Sequence, residues 1–62
     1  MNDSIRVFVA DDNRLLREGL VSMLEEQEDI AVIGAASSGD KALEQITNLR
    51  PDVALIDIRH LS

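Results

Sequence analysis

Carboxylates are the residues of this 62-residue chain whose type and placement could do chemistry. Asp11 and Asp12 end an apolar run, Val7-Phe8-Val9-Ala10, and Asn13 follows at once. Asp57 sits inside a second run, Val53-Ala54-Leu55-Ile56-Asp57-Ile58. Taken alone, Asp-Asp-Asn after an apolar run makes a turn and caps a helix. Asp57 has a weaker structural explanation, because a carboxylate between apolar neighbours is costly unless a partner or a function retains it. If the two segments meet, the three carboxylates repel one another, so one must stay protonated or a cation must join them. Hard oxygen donors in a chain with no Cys and a lone His near its end favour Mg²⁺ over Zn²⁺. Mg²⁺ takes a few carboxylates together with waters and a phosphate, a combination that points to phosphoryl chemistry.

The elements that must bring these residues together are legible in the changing period of the sequence. Ile5–Ala10 is a short β-branched run that stops at the acidic turn, which gives a strand, β1, over about 5–11. From Asn13 the apolar positions Leu16, Leu20, Met23 and Leu24 recur at helical spacing, opposite Arg14, Arg17, Glu18, Glu25 and Glu26. This predicts a helix, α1, over about 13–27, with Asp12 or Asn13 as N-cap and its Met and Leu stripe in the core. Ile30–Ala36 reads as a second strand, β2. Ser37 and Asp40 have the spacing of a capping box, and Ala42, Ile46 and Leu49 line one face of a helix, α2, over about 38–50, which Pro51 stops. A third strand, β3, covers about 53–58.

The order βαβαβ with short connections belongs to the α/β class, because each helix must return the chain so that the strands run parallel. Right-handed crossovers leave sheet order 1-2-3, with both helices on one face, or 2-1-3, with one helix on each. The second makes a three-layer structure and suits a central β1 with Val7 and Val9 on one face and Phe8 and Ala10 on the other. It also sets the carboxyl ends of β1 and β3 side by side at the topological switch point, where open α/β sheets hold their ligands. Neighbouring strands lie about 4.8 Å apart, so Asp11, Asp12 and Asp57 are expected to share one site.

Composition narrows the function further. Six Lys and Arg against twelve Asp and Glu give a net charge of −6, a surface that phosphate repels, so the chain itself is not expected to bind nucleic acid. The absence of Cys removes disulfides and thiolate metal sites and makes the cytoplasm the expected compartment. Apolar stretches are only a few residues long and Met1-Asn2-Asp3-Ser4 has neither a basic nor an apolar leader region, so no membrane span and no secretion signal are expected. A chain of this size hides only about 60 % of its unfolded surface, which makes marginal stability the expectation.

Val7-Phe8-Val9-Ala10-Asp11-Asp12-Asn13, Leu16-x₃-Leu20-x₃-Leu24, Ala36-x₂-Gly39-x₂-Ala42-Leu43 and Arg50-Pro51-Asp52-Val53-Ala54-Leu55-Ile56-Asp57-Ile58-Arg59 together resemble the first half of a two-component response-regulator receiver domain. The spacing, and the phrase Glu28-Asp29-Ile30-Ala31-Val32-Ile33-Gly34, is most similar to the subfamily with a C-terminal LuxR-type helix-turn-helix. The resemblance spans nearly the whole chain and implies the flavodoxin-like receiver fold, with residues 1–62 as its N-terminal half. It implies that Asp57 accepts a phosphoryl group from the histidine of a sensor kinase. Asp12 would then bind Mg²⁺ directly, Asp11 chiefly through water, and Arg59 through its backbone carbonyl. Such a module is a phosphoacceptor, not an enzyme in its own right, and it reaches DNA only through an output domain that these residues do not include. Where the family usually continues Met-Pro and then Gly, this chain has His60-Leu61-Ser62. The family's Ser or Thr on a fourth strand and Lys on a fifth have no counterpart in these residues, so phosphorylation of this chain alone is expected to be poor.

Rival readings are weaker. Gly34-x₄-Gly39-Asp40-Lys41 superficially matches a phosphate-binding loop but has Asp40 where Lys should follow the glycine and Ala42 where a hydroxyl is needed. A metal-dependent phosphohydrolase would place Asp-x-Asp on one strand, whereas adjacent Asp11 and Asp12 point in different directions. His60 reads as a solvated residue near the terminus, and Glu25, Glu26, Glu28 and Asp29 as a solvated acidic helix end. A phosphorylation-independent association module remains as the alternative. The exposed edge of β3, apolar and without Lys or Pro, is expected to seek a second copy of the chain.

Overall fold

The computed structural model describes residues 3–58. Within them β1 (Ile5–Asp11), α1 (Arg14–Glu25), β2 (Ile30–Ala36), α2 (Gly39–Leu49) and β3 (Val53–Asp57) follow one another. The three strands are parallel and ordered β2-β1-β3, the arrangement the sequence predicts. No helix among the described residues is long and apolar enough to cross a membrane.

Both helices start at short polar side chains. Asn13 caps α1, its Oδ1 accepting the Leu16 N–H at 3.1 Å. Ser38, in extended conformation, caps α2 by accepting the Lys41 N–H on its Oγ at 3.4 Å. The expected Ser37–Asp40 capping box is therefore not the one used: Ser38 is the residue whose hydroxyl lies three positions before a free amide of the first turn. α1 ends at Glu25, two residues earlier than its spacing suggests, where the Glu26 and Gln27 amides turn back onto Met23 and Leu24 carbonyls. Glu25 and Glu26 oppose the negative end of the helix dipole there.

The end of α2 is built from distant parts. Arg50 takes the left-handed conformation, φ 51°, and donates its N–H to the Ile46 carbonyl at 2.9 Å. Arg6, across the sheet on β1, donates to the Leu49 and Arg50 carbonyls, both at 2.6 Å. Its own N–H goes to the Asp52 carboxylate at 2.9 Å, and Asp52 returns its N–H to the Arg6 carbonyl at 2.8 Å. The last carbonyls of the helix, orphaned by geometry, are thus satisfied by a guanidinium.

β1 is the spine of the molecule: Val7, Phe8, Val9, Ala10 and Asp11 are all buried. Phe8 and Ala10 form the core with Ala36 and Ala42, and Ile46, Leu49 and Ile58 pack against it, so α2 covers that face. Ala35, on the alternate side of β2, lies beside Val21 and Ser22 of α1, so α1 takes the other. Pairing of β1 with β2 slips one residue between Val7 and Phe8, with Val7 opposite Val32 and Phe8 opposite Gly34. A Cβ on Gly34 would stand 3.0 Å from both the Phe8 ring and Leu49 Cδ1, so glycine is what lets the ring lie flat against this backbone.

A further expectation is overturned. The Met and Leu stripe of α1 is not core: no α1 residue is buried, and Leu16 and Met23 are 47 % and 61 % exposed. The stripe faces a three-stranded sheet whose β3 flank α1 does not reach, leaving an apolar furrow of about 380 Å³ along Leu15, Leu16, Leu20 and Met23. β3 itself is exposed at every position.

Candidate functional site at the carboxyl edge

Parallel pairing of β1 with β3 puts Asp11 opposite Asp57 in register. Asp12 falls one residue beyond the end of β1 and is solvent-exposed, as is Asp57. The structure therefore brings two of the three carboxylates side by side on neighbouring strand ends and sets the third at the rim. Asp11, Asp12, Asn13 and Leu16 line an open cleft of about 300 Å³ there. Among the described residues no three Asp, Glu, His or Cys side chains converge tightly enough to cage a metal by themselves. Such a sparse donor set is the one Mg²⁺ uses, since it keeps waters and takes few protein ligands. Arg59 lies outside the described residues, and so does His60.

Asp11 is the unusual member. It is 2 % exposed; its Oδ1 accepts the Asn13 N–H at 2.8 Å, while its buried Oδ2 has no hydrogen-bond partner among the described residues. A buried carboxylate oxygen left without a donor is expensive. It fits a cation, or a water held by one, at this edge.

Arg17 is the residue that sequence reasoning missed. Its Nη1 donates to the Asp11 carbonyl at 2.8 Å, tying the first turns of α1 to the end of β1. A signal was available: helical side chains lean toward the helix N-terminus, so a long cation four residues after the Asn13 cap reaches back to the strand end. Farther along the outer face of α1, Arg14 Nε donates to Glu18 Oε2 at 2.9 Å. That hydrogen bond, aided by the Arg14 charge, holds the Glu18 carboxyl below its ordinary range.

With this geometry in view, the sequence profile described as "Response regulator receiver domain" matches residues 7–59. The chain belongs to the response-regulator receiver family. Among relatives of this receiver chain, the uncharacterized transcriptional regulatory protein YvfU of Bacillus subtilis is 48 % identical over 54 residues, 87 % of the chain but 27 % of YvfU. Among solved structures, the signal receiver domain of the response regulator NarL of Mycobacterium tuberculosis superposes with a TM-score of 0.85 at 45 % identity, covering 89 % of the receiver chain and 44 % of its own. The response-regulator domain of Thermotoga maritima CheB gives the same TM-score at 36 % identity over 95 % of the receiver chain and 46 % of its own. The receiver chain thus spans about a quarter of its curated relative and under half of the solved chains it matches.

Proposed function

We propose that the chain is the phosphoacceptor portion of a two-component response regulator, with Asp57 taking a phosphoryl group from the histidine of a sensor kinase. The observation that carries this reading is the pairing of Asp57 with a buried Asp11 whose Oδ2 lacks a donor, at the carboxyl edge of a 2-1-3 sheet. Asp57, exposed, is accessible to a donor in line with its carboxylate oxygen: the O–P bond forms as the P–N bond to the donor imidazole breaks. Asp12 and Asp57 would hold Mg²⁺, with the Arg59 backbone carbonyl, and Asp11 would accept from a metal-bound water. The ion would neutralise charge on the transferring group. Arg17 keeps the Asp11 backbone in place, and Asn13 orients its carboxylate. The cytoplasm is the compartment in which such a kinase partner would be met, and DNA would be reached only through an output domain.

Chemical-shift titration of the 62-residue chain with Mg²⁺ tests the site. We expect a weak, saturable response that Asp57→Asn and Asp12→Ala each abolish; an unchanged titration in both variants refutes the assignment. Phosphate-affinity electrophoresis after incubation with a small acyl phosphate should show labelling, however slow, only in chains that retain Asp57.

A further inference from the structure

At the end of the sheet opposite the carboxylates, three segments are tied at one point. Arg6 donates its N–H to an Asp52 carboxylate oxygen at 2.9 Å and accepts the Asp52 N–H on its carbonyl at 2.8 Å. Its guanidinium holds the Leu49 and Arg50 carbonyls at the end of α2. Arg50, at φ 51°, turns the chain there, and Pro51 and Asp52 lead into β3. Asp52 thus meets Arg6 one residue before β1 and β3 begin to pair at Val7 and Val53. Every hydrogen bond of this clasp runs between β1, the end of α2 and Asp52, so a strand added on the far flank of β3 leaves it unchanged.

We propose that Asp52 sets the register of β3 on β1 and is thereby the residue that brings Asp57 beside Asp11. Asp57 stands five residues beyond Asp52, and Asp11 five beyond Arg6, so fixing one pair fixes the other. β3 needs such a device because Val53-Ala54-Leu55-Ile56 is apolar at every position; without alternation, its side chains do not tell one face of the sheet from the other. The neighbours of Asp52 cannot take its place. Pro51 has no N–H to return to the Arg6 carbonyl, and neither Pro51 nor Val53 carries a side-chain acceptor for the Arg6 N–H. A slip of one residue therefore undoes the clasp. It also sets Ile56 or Ile58 against Asp11 and moves the Asp57 side chain to the opposite face. Asp52 acts on the carboxyl edge only through the strand, as a positioning residue.

The functional consequence rests on the phosphoacceptor reading above; the register itself does not. With Mg²⁺ held by Asp12 and Asp57, loss of register takes the ion's site apart without altering any of its ligands. Arg6→Ala separates the two halves of the clasp. It removes the guanidinium from the α2 carbonyls but keeps the backbone N–H that binds Asp52, so it should loosen the end of α2 and spare the register.

The chain has no Cys, so paired cysteines report the register directly. Val7 and Val53 are partners, with Cα atoms about 4.8 Å apart, within disulfide range, whereas Ala54 points to the other face. In a thiol–disulfide buffer Val7→Cys/Val53→Cys should close and Val7→Cys/Ala54→Cys should not. Adding Asp52→Ala should lower closure of the first pair about two- to tenfold, the range that one hydrogen bond exerts on an equilibrium, and raise closure of the second. The same substitution should weaken the Mg²⁺ chemical-shift response of the cysteine-free chain by a similar factor. Asp52→Asn, which keeps an acceptor oxygen, should restore both, and Arg6→Ala should leave both as in the parent. Enough sucrose to give every variant the circular dichroism of the parent keeps loss of folding out of the comparison. Unchanged cross-linking in Asp52→Ala overturns the register role, and slippage of Arg6→Ala to the same extent overturns its assignment to Asp52. A shifted register with an unchanged Mg²⁺ response overturns the positioning of Asp57. A parent chain that cross-links in register yet gives no Mg²⁺ response overturns the phosphoacceptor reading, while the cross-links still decide the register.

Discussion

The two faces of the sheet are built from similar apolar residues and end in opposite conditions. On the α2 face, Phe8, Ala10, Ala36 and Ala42 are all but inaccessible to solvent, and Gly34 brings β2 backbone against the Phe8 ring. On the α1 face, Val7, Val9 and Asp11 of the central strand are buried, while Leu15, Leu16 and Met23 of the helix stand in solvent. Helical period states which side of a helix wants cover; it does not say how much sheet lies beneath. α2 meets β2 and the middle of β1, whereas the α1 stripe extends toward a β3 flank that it does not reach.

Substitutions at matched positions should expose this asymmetry. The largest effect is expected at Phe8: Phe8→Ala should cost about 3–5 kcal/mol, enough to unfold a domain this small, whereas Leu15→Ala, at an 82 % exposed position, should stay within about 0.5 kcal/mol. Urea denaturation followed by circular dichroism measures both, and equal losses would erase the distinction between the faces. Gly34→Ala comes next. Its Cβ would meet the Phe8 ring and Leu49 at 3.0 Å, so a loss of about 1–3 kcal/mol is expected, with Phe8→Leu in the same chain relieving part of it.

The smallest effect belongs to the exposed side of α1. Glu18 is held below its ordinary carboxylate range by Arg14, so its contribution is present above that range and fades as pH falls through the lowered value. Glu18→Gln should therefore melt slightly below the parent at neutral pH, the difference closing in acid. Full exposure of the pair, and the less favourable order of Arg before Glu, keep it small.

Much of the scaffold was legible in the sequence because period, caps and connection lengths are local. Element order, the parallel 2-1-3 sheet and the adjacency of Asp11 to Asp57 all follow from them. What escaped depends on contacts between remote segments. Arg6 reads as an ordinary strand residue until α2 ends beside it, and Arg17 as part of a polar helix face until Asp11 lies within reach. Ser37 and Ser38 are alike in type, and only the folded turn selects Ser38 as the one whose Oγ accepts the Lys41 N–H. β1 ends at Asp11 as its sequence predicts, which leaves Asp12 one residue beyond the strand, in the same cleft as Asp11.

The order of the sheet also bears on how the edge site comes into being. Joining β1 to β2 closes a loop of some 25 residues, whereas setting Asp57 beside Asp11 closes one of about 46, an extra entropic cost of roughly half a kcal/mol for a strand that, unlike β2, is exposed at every position. Among the described strands β3 is thus the last to dock and the first to peel away. The paired carboxylates exist only while it is docked, so their electrostatics act on the folding equilibrium itself: mutual repulsion loosens the final strand, and any positive charge shared between them fastens it.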